Sequence, residues 1–174
     1  YNKSKSLLFG LIDITQRVEE EKTIKALMEG TSGTTGEDFL NSLVMNMASA
    51  LDVKYAYVNE AIPDKPGFAK VIAMWDGEKV VNDYEYDMRN TPCERVFDKQ
   101  MQIYSRNVQE IFPNDRNLKE NNIESYLGIP MYDSSGKGIG HIIIMDTKEL
   151  PNEKLEEITM RIFAARASAE LDRK

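Results

Sequence analysis

The sequence predicts an α+β domain built on an antiparallel sheet, and three observations support this fold class. Apolar residues recur at helical spacing between residues 39 and 51 and again from residue 152 onward. Between these two segments lie about six short apolar runs with strand character. Asp76-Gly77, a strong hairpin turn, joins two of the runs, and sequential strands joined by tight turns are antiparallel. At 174 residues, the chain is long enough for one domain with a sizeable core.

Composition excludes several classes of function. Apolar residues make up 41% of the chain and charged residues 29%, as in ordinary folded proteins. A net charge of −7 disfavours nucleic acid and anionic membrane surfaces as partners, since both attract clustered Lys and Arg. The single cysteine, Cys93, excludes an internal disulfide and a multi-cysteine zinc site. No apolar run approaches the ~20 residues of a membrane span and no leader pattern is present, so we expect a cytoplasmic protein without membrane contact in this chain.

The first thirty residues carry two different patterns. The run 6–14 is apolar and partly β-branched, which predicts a buried strand. In residues 15–30, Val18, Ile24 and Met28 recur at near-helical spacing among Glu and Lys, which predicts a charged amphipathic linker helix. The Gly- and Thr-rich stretch that follows is the best domain boundary in the chain. Because the chain starts with Tyr rather than Met, we expect it to be part of a longer protein.

The central part of the chain predicts one helix followed by strands. The segment 35–38 resembles a capping box, and the wide apolar stripe behind it predicts a helix packed on a core. The predicted strands are 55–62, 68–75, 79–86, 101–105, 125–132 and 138–145. The run 142–144 consists of three isoleucines and is apolar on both faces, which indicates a central strand covered on both sides.

Three further helices are predicted around and after these strands. Thr91 as N-cap, Pro92 at the first helical position and Glu94 completing a capping box predict a short helix that ends near residue 99. One polar helix is expected within residues 107–122. The last helix begins after the N-cap Asn152.

The last helix carries two apolar stripes. The first consists of Leu155, Ile158, Ile162, Ala165 and Ala169. The second consists of Phe163, Ala164, Ala167 and Leu171. A helix that is apolar on more than one face needs a partner beyond its own sheet, and parallel packing against a second copy would supply one. The alternative is that the helix covers only its own sheet.

The sequence offers few parts for catalysis. His141 is the only histidine and lies in an apolar strand, so a packed or hydrogen-bonded role is favoured over contact with a ligand. One His and one Cys do not make a zinc site, and the carboxylates show no calcium-loop spacing, so no metal is expected. The glycines in 136–140 precede a strand rather than a helix, which favours turn glycines over a phosphate loop.

Cys93 is the residue whose chemical reactivity most needs to be considered. The second position of a helix places its sulfur near the positive end of the helix dipole, which favours the thiolate. The neighbouring Glu94 opposes this effect. We therefore favour a buried, inert thiol, the usual state of a free cysteine, and expect no enzyme activity from the chain.

Several short strings resemble one family. They are Thr91-Pro92-Cys93-Glu94, Asn107-Val108-Gln109 with Phe112-Pro113, Glu124-Ser125-Tyr126-Leu127-Gly128-Ile129-Pro130, Gly140-His141-Ile142 and Phe163-Ala164-Ala165-Arg166-Ala167. With the order of elements, they resemble a GAF domain of bacterial multidomain sensors over residues 31–174. Gly10 followed by residues 13–17 resembles the end of a PAS domain. The resemblance divides the chain into a PAS remnant (1–14), a linker helix (15–30) and a GAF domain with a long C-terminal signalling helix.

This resemblance implies a layered fold with a pocket. Both terminal helices would lie on one face of the sheet, and short helices would cover a ligand pocket on the other. The candidate pocket residues are Trp75, Tyr84, Met88, Cys93, Tyr104, Phe112, Tyr126 and His141. They mix aromatic surface with polar tips, as small-ligand sites do, but they could equally fill a second core.

The resemblance also bears on cofactors. Some GAF domains attach a bilin through a Cys followed by His, whereas Glu94 follows Cys93 here, so covalent bilin attachment is not expected. The signature of cyclic-nucleotide-binding GAF domains has only a fragment in residues 97–99. Binding of cyclic GMP or cyclic AMP therefore stays open without support from a motif.

The function expected from these observations is non-catalytic. A sensory GAF module of a histidine kinase or cyclic-di-GMP enzyme would bind a small ligand, form a homodimer, or do both, and relay a signal through its terminal helices. The candidate dimer residues are Val18, Ile24, Met28, Leu155, Ile158, Ile162, Ala165 and Ala169. The alternative is a structural dimerisation module whose pocket has become core. A methionine sulfoxide reductase of GAF fold would need paired cysteines, and the single Cys93 argues against this activity.

Overall fold

A computed structural model of the chain describes residues 14, 15, 18, 35–97 and 100–173. In this part, seven strands form one antiparallel sheet with helices packed on both faces, so the predicted α+β class is confirmed. None of the described helices is both long enough and apolar enough to cross a bilayer.

Between residues 35 and 173, helices and strands follow one another along the chain. They are α1 (Glu37–Leu51), β1 (Tyr55–Ala61), β2 (Phe68–Trp75), β3 (Val80–Val81), β4 (Tyr84–Asp87), α2 (Pro92–Phe97), β5 (Gln102–Tyr104), α3 (Val108–Ile111), α4 (Arg116–Glu120), β6 (Ser125–Tyr132), β7 (Gly138–Asp146) and α5 (Glu153–Asp172). The strand order is β3-β2-β1-β7-β6-β5, and β4 also pairs with β2. Ile142, Ile143 and Ile144 of β7 are buried at the middle of this order, so the predicted central strand is confirmed.

The N-terminal predictions lie mostly outside the described residues, Ile24 and Met28 among them. Ile14 is helical and 61% exposed, so it does not end a buried strand as predicted. Val18 is also helical and exposed. The PAS remnant and the linker helix stay predictions.

Two predicted helix caps are replaced by other contacts. The N-cap of α1 is Gly36, which has a φ of 69° and no side chain to form a capping box, and its N–H donates to Glu170 Oε1 of α5 at 2.6 Å. At α2, the Thr91 hydroxyl donates to Met88 O at 2.6 Å, and Glu94 Oε2 accepts from the Asn90 N–H at 2.9 Å. The predictions of both capping boxes were therefore wrong, whereas both predicted helices are present.

Two other predicted elements are divided in the structure. The predicted strand 79–86 is interrupted at Asp83, whose φ of 68° takes the chain out of extended geometry between β3 and β4. The polar helix expected within 107–122 is two short helices, α3 and α4. Asp115 begins α4 as its N-cap and accepts hydrogen bonds from the Asn117 and Leu118 N–H groups. The predicted Asn152 cap is confirmed, because its side chain accepts from the Leu155 N–H.

The sheet separates two cores. On one face, α1 and α5 bury apolar side chains that include Leu40, Met47 and Phe163. On the other face, α2 and the α3–α4 segment cover a smaller core that includes Val96 and Leu118. The terminal helices thus occupy one face and the short helices the other, as predicted for residues 35–173.

Candidate ligand cavity

A cavity of about 460 Å³ lies on the short-helix face of the sheet. Its floor comes from the sheet and includes Tyr57, Tyr126 and Ile143. Cys93 and its neighbours in the β4–α2 turn form one wall, and the α3–α4 loop forms the opposite wall through residues that include Asn117. The cavity therefore lies between a floor formed by the sheet and two walls formed by connecting segments.

Strand periodicity and register place the floor residues. Tyr57 of β1 lies directly opposite Ile143 of β7, and Tyr126 of β6 lies opposite Met145 of β7. Alternate residues of a strand share a face, so Ile143 and Met145 both point to the cavity side while Ile144 packs under the long helices. The sheet therefore presents aromatic and aliphatic side chains together on this floor.

The thiol of Cys93 lies among tyrosine hydroxyls. Tyr126 Oη donates to Cys93 Sγ at 3.5 Å. Burial raises the pKa of Cys93 and outweighs this hydrogen bond, which acts in the opposite direction. Burial likewise raises the pKa values of Tyr57, Tyr86 and Tyr126. The cavity is therefore lined by neutral phenols and a protonated thiol.

The rim of the cavity carries charges of both signs. Arg89 donates to both carboxylate oxygens of Asp87, with Nε at 2.8 and 3.0 Å and Nη2 at 2.5 Å. Arg116 is highly exposed and forms an ion pair with Glu120 at 3.6 Å. The Asp115 carboxylate faces the backbone of α4, and burial raises its pKa. The two rim arginines are thus already matched by carboxylates.

His141 belongs to a buried polar group beside the cavity. Its Nε2 lies 3.2 Å from Asn59 Nδ2 and 2.9 Å from the hydroxyl of Tyr86, which lines the cavity. Its ring also meets the Phe97 ring edge-on at 5.9 Å. Burial lowers the pKa of His141 from 6.5 to about 3. The prediction of a packed, hydrogen-bonded histidine is therefore confirmed.

The buried His141 predicts a specific loss of stability in mild acid. A group whose folded pKa lies below its unfolded pKa stabilises the fold above the unfolded value, and this stability is lost as the pH falls toward the folded value. With values of 6.5 and about 3, His141 should remove about 2 kcal/mol from the free energy of unfolding between pH 7.5 and pH 5. Urea unfolding at several pH values measures this loss.

His141→Gln is the control, because the chain has no other histidine. The variant should show a flatter dependence of stability on pH across the same window, since only carboxylates then titrate there. Equal slopes for the wild type and the variant would mean that His141 does not stay neutral in the folded protein.

The structure distributes the predicted pocket residues over three places. Tyr84, Cys93 and Tyr126 line the cavity. Met88, Tyr104, Phe112 and His141 lie on the same face of the sheet and pack in or beside the smaller core without lining the cavity. Trp75 packs on the opposite face, against the core of α1 and α5.

The displacement of Trp75 has a definite cause. The β1–β2 pairing passes from Val58 opposite Ala73 to Asn59 opposite Val71, which leaves Ile72 as an extra residue in β2. One inserted residue reverses the alternation of every following side chain. Trp75 therefore lies on the other face from Val71, although four residues of regular strand would place them together.

The predicted pocket residues did not include Tyr57 of the floor or the residues of the loop wall. Tyr57 could have been found, because it alternates with Tyr55 along a strand. The α3–α4 loop residues, Asn117 among them, had no local signal, since only the folding of that loop over the sheet brings them to the cavity. Among the described residues, no group of three or more His, Cys, Asp or Glu side chains could hold a metal ion.

The two stripes of α5 have separate environments. Phe163, Ala164, Ala167 and Leu171 are buried against the sheet. Ile158 is 49% exposed and Ile162 is 37% exposed, and Ala165 and Ala169 are exposed beside them, whereas Leu155 is half-buried. The first stripe thus faces outward in the described part of the chain.

Comparison of the architecture with solved structures identifies the fold. The GAF domain of a phosphoenolpyruvate-protein phosphotransferase from Acinetobacter superposes with a TM-score of 0.71, covering 90% of this chain and 94% of that chain at 14% identity. The chain has the GAF fold. A phycocyanobilin-bound GAF domain from a cyanobacterial phytochrome gives a TM-score of 0.67, with 89% and 94% coverage and 14% identity.

Sequence comparison adds one relative to these GAF structures. No protein-family model matches the sequence. Hybrid signal transduction histidine kinase F from Dictyostelium discoideum is 24% identical over 136 residues, which are 78% of this chain and 12% of that protein. The chain thus spans about an eighth of the length of this curated relative.

Proposed function

We propose that this GAF-fold chain is a sensory module that binds a small ligand in the cavity and passes the effect of binding to an output domain. The cavity carries this proposal. Its volume of about 460 Å³ lies in the range of small-molecule sites, and an aromatic floor with a few polar groups is typical of such sites. The floor belongs to the central sheet, whereas both walls are connecting segments that a ligand would hold together.

The proposed setting is a histidine kinase or a cyclic-di-GMP enzyme. The similarity to a hybrid histidine kinase supports a role in signal transduction, with catalysis in a part of the protein beyond this module. The described residues offer little for catalysis themselves. Cys93 is a buried thiol with a raised pKa, and His141, with a pKa of about 3, is too weak a base to activate a nucleophile near neutral pH.

Two ligands of other GAF domains are not favoured here. Covalent attachment of a bilin needs a reactive thiolate, whereas burial keeps Cys93 protonated and Glu94 follows it in the sequence. A cyclic nucleotide would bring a phosphate, yet the rim arginines Arg89 and Arg116 already face Asp87 and Glu120. We therefore propose a ligand held without a covalent bond.

A bound small molecule should be recovered from the chain purified without denaturation. Mass spectrometry of the native protein, before and after unfolding, detects such a molecule by the mass that is released. Val71→Phe fills part of the floor and should abolish this binding while the thermal transition of the protein stays cooperative. Equilibrium dialysis of the purified chain against cell extract is a second way to supply the cavity with a ligand. A wild type that stays empty in both experiments would contradict a ligand-binding function.

A second copy of the chain is the other proposed partner. The outward stripe of α5 exposes Ile158 and Ile162 next to small alanines, and an apolar stripe of this kind stabilises parallel helix pairing. Ile14 and Val18, which precede the domain, are also helical, apolar and exposed. Pairing of these helices would carry a change at the cavity to an output domain. The alternative function is a structural dimerisation module without a ligand.

A further inference from the structure

The volume of the cavity sets a lower limit on the size of the ligand that would fill it. A cavity of about 150 Å³ in a protein interior accepts a single benzene ring. The cavity above Tyr57 and Ile143 is about three times larger, at about 460 Å³. A ligand of one ring would leave much of the aromatic lining without contacts, so two or more fused rings fit the volume better.

Two tyrosine hydroxyls at the cavity donate hydrogen bonds to sulfur atoms. Tyr126 Oη donates to Cys93 Sγ at 3.5 Å on the floor, and Tyr84 Oη donates to Met74 Sδ at 3.3 Å near the mouth. A phenol has one proton, so each of these oxygens keeps only acceptor capacity for a ligand. At these two positions the cavity therefore accepts a hydrogen bond from a ligand.

The charges around the cavity do not select an anion. Asp87 and Asp115 balance Arg89 and Arg116 among the lining residues. Arg89 forms its ion pair with Asp87. Both arginine side chains are more than half exposed, so solvent screens their charges. A carboxylate placed against the Tyr84 or Tyr126 oxygen would meet lone pairs rather than a donor.

We propose that the ligand is a neutral, flat aromatic molecule of at least two fused rings, whose N–H or O–H group donates a hydrogen bond to Tyr84 or Tyr126. This inference rests on the proposed ligand-binding function. The rings would stack on the tyrosines and on Ile143, since aromatic faces prefer such contacts. The donor would satisfy an acceptor that an apolar ligand leaves buried and unpaired.

Isothermal titration calorimetry with three matched probes tests the proposal on the whole chain. Indole is a neutral bicycle with one N–H donor, benzofuran has the same shape without the donor, and indole-3-carboxylate adds a negative charge. Indole should bind at least fivefold more tightly than either of the others, which corresponds to about 1 kcal/mol for one net hydrogen bond. Tyr84→Phe or Tyr126→Phe should remove the preference for indole over benzofuran.

Tyr55→Phe is the control variant, because Tyr55 lies on the same face but donates to Asn121 Oδ1 outside the cavity lining. It should leave the preference unchanged. The proposal is overturned if benzofuran or the carboxylate binds as well as indole, if no probe binds, or if the preference survives in both tyrosine variants. Recovery of a non-aromatic or charged molecule by native mass spectrometry would overturn this inference and leave the sensory function intact.

Discussion

Replacing Gly140 by alanine is expected to destabilise the fold by about 3 kcal/mol, near the upper end of the usual effect of overpacking a core. A Cβ atom at this buried position of β7 would lie 2.0 Å from the backbone oxygen of Asn59 on β1. Because that oxygen belongs to the paired strand, relief requires β1 and β7 to separate at the centre of the sheet. The same movement would stretch the contact between Asn59 and His141.

Thermal unfolding measures the effect, which should appear as a fall of about 6–12 °C in Tm for a chain of this size. Gly138→Ala is the matched control on the same strand, since its Cβ would meet no atom within 4 Å and its φ is not positive. The control should be neutral or more stable by a few tenths of a kcal/mol, because alanine loses less backbone entropy on folding. Equal Tm values for the two variants would show that the sheet accommodates the methyl group at Gly140.

Replacing Ile162 by glutamate is expected to convert a dimeric chain into a monomer. Ile162 lies at the middle of the outward stripe of α5, so a second copy would bury it, and a buried glutamate without a partner is destabilising by about 2 kcal/mol or more. This corresponds to a rise of at least about 30-fold in the Kd of the dimer. Sedimentation velocity at several protein concentrations measures the change.

The same substitution at Met45 gives the control. Met45 is an exposed apolar residue of α1 with 46% of its surface accessible, and it does not belong to either stripe of α5. Met45→Glu should leave the sedimentation of the chain unchanged, and urea unfolding should show that neither variant loses its fold. A wild type that sediments as a monomer at every concentration would rule out the dimer and with it the structural dimerisation module.

The fold class could be predicted from the sequence because it depends on local periodicity. The three consecutive isoleucines of residues 142–144 marked a central strand, and Asp76-Gly77 marked a hairpin turn. The two stripes of α5 were also visible, since helical spacing alone separates Phe163 from Ile162. Each of these signals lies within a few residues and needs no distant contact to be read.

The cavity could be predicted only in part, for the opposite reason. The resemblance to a GAF domain placed Tyr84 and Tyr126 on the correct face, but one extra residue at Ile72 carried Trp75 to the other side of the sheet. No local pattern distinguishes such a bulge from a regular strand. The actual cap contact at Gly36 came from Glu170, a residue 134 positions away in the sequence.

The sequence by itself therefore determined the α+β class, the central strand and the two faces of the last helix. Tertiary structure alone decided where the cavity lies and that His141 stays neutral beside it. The physical reason is that periodicity is a property of neighbouring residues, whereas desolvation, hydrogen-bond direction and sheet register arise from groups that meet only after the chain has folded.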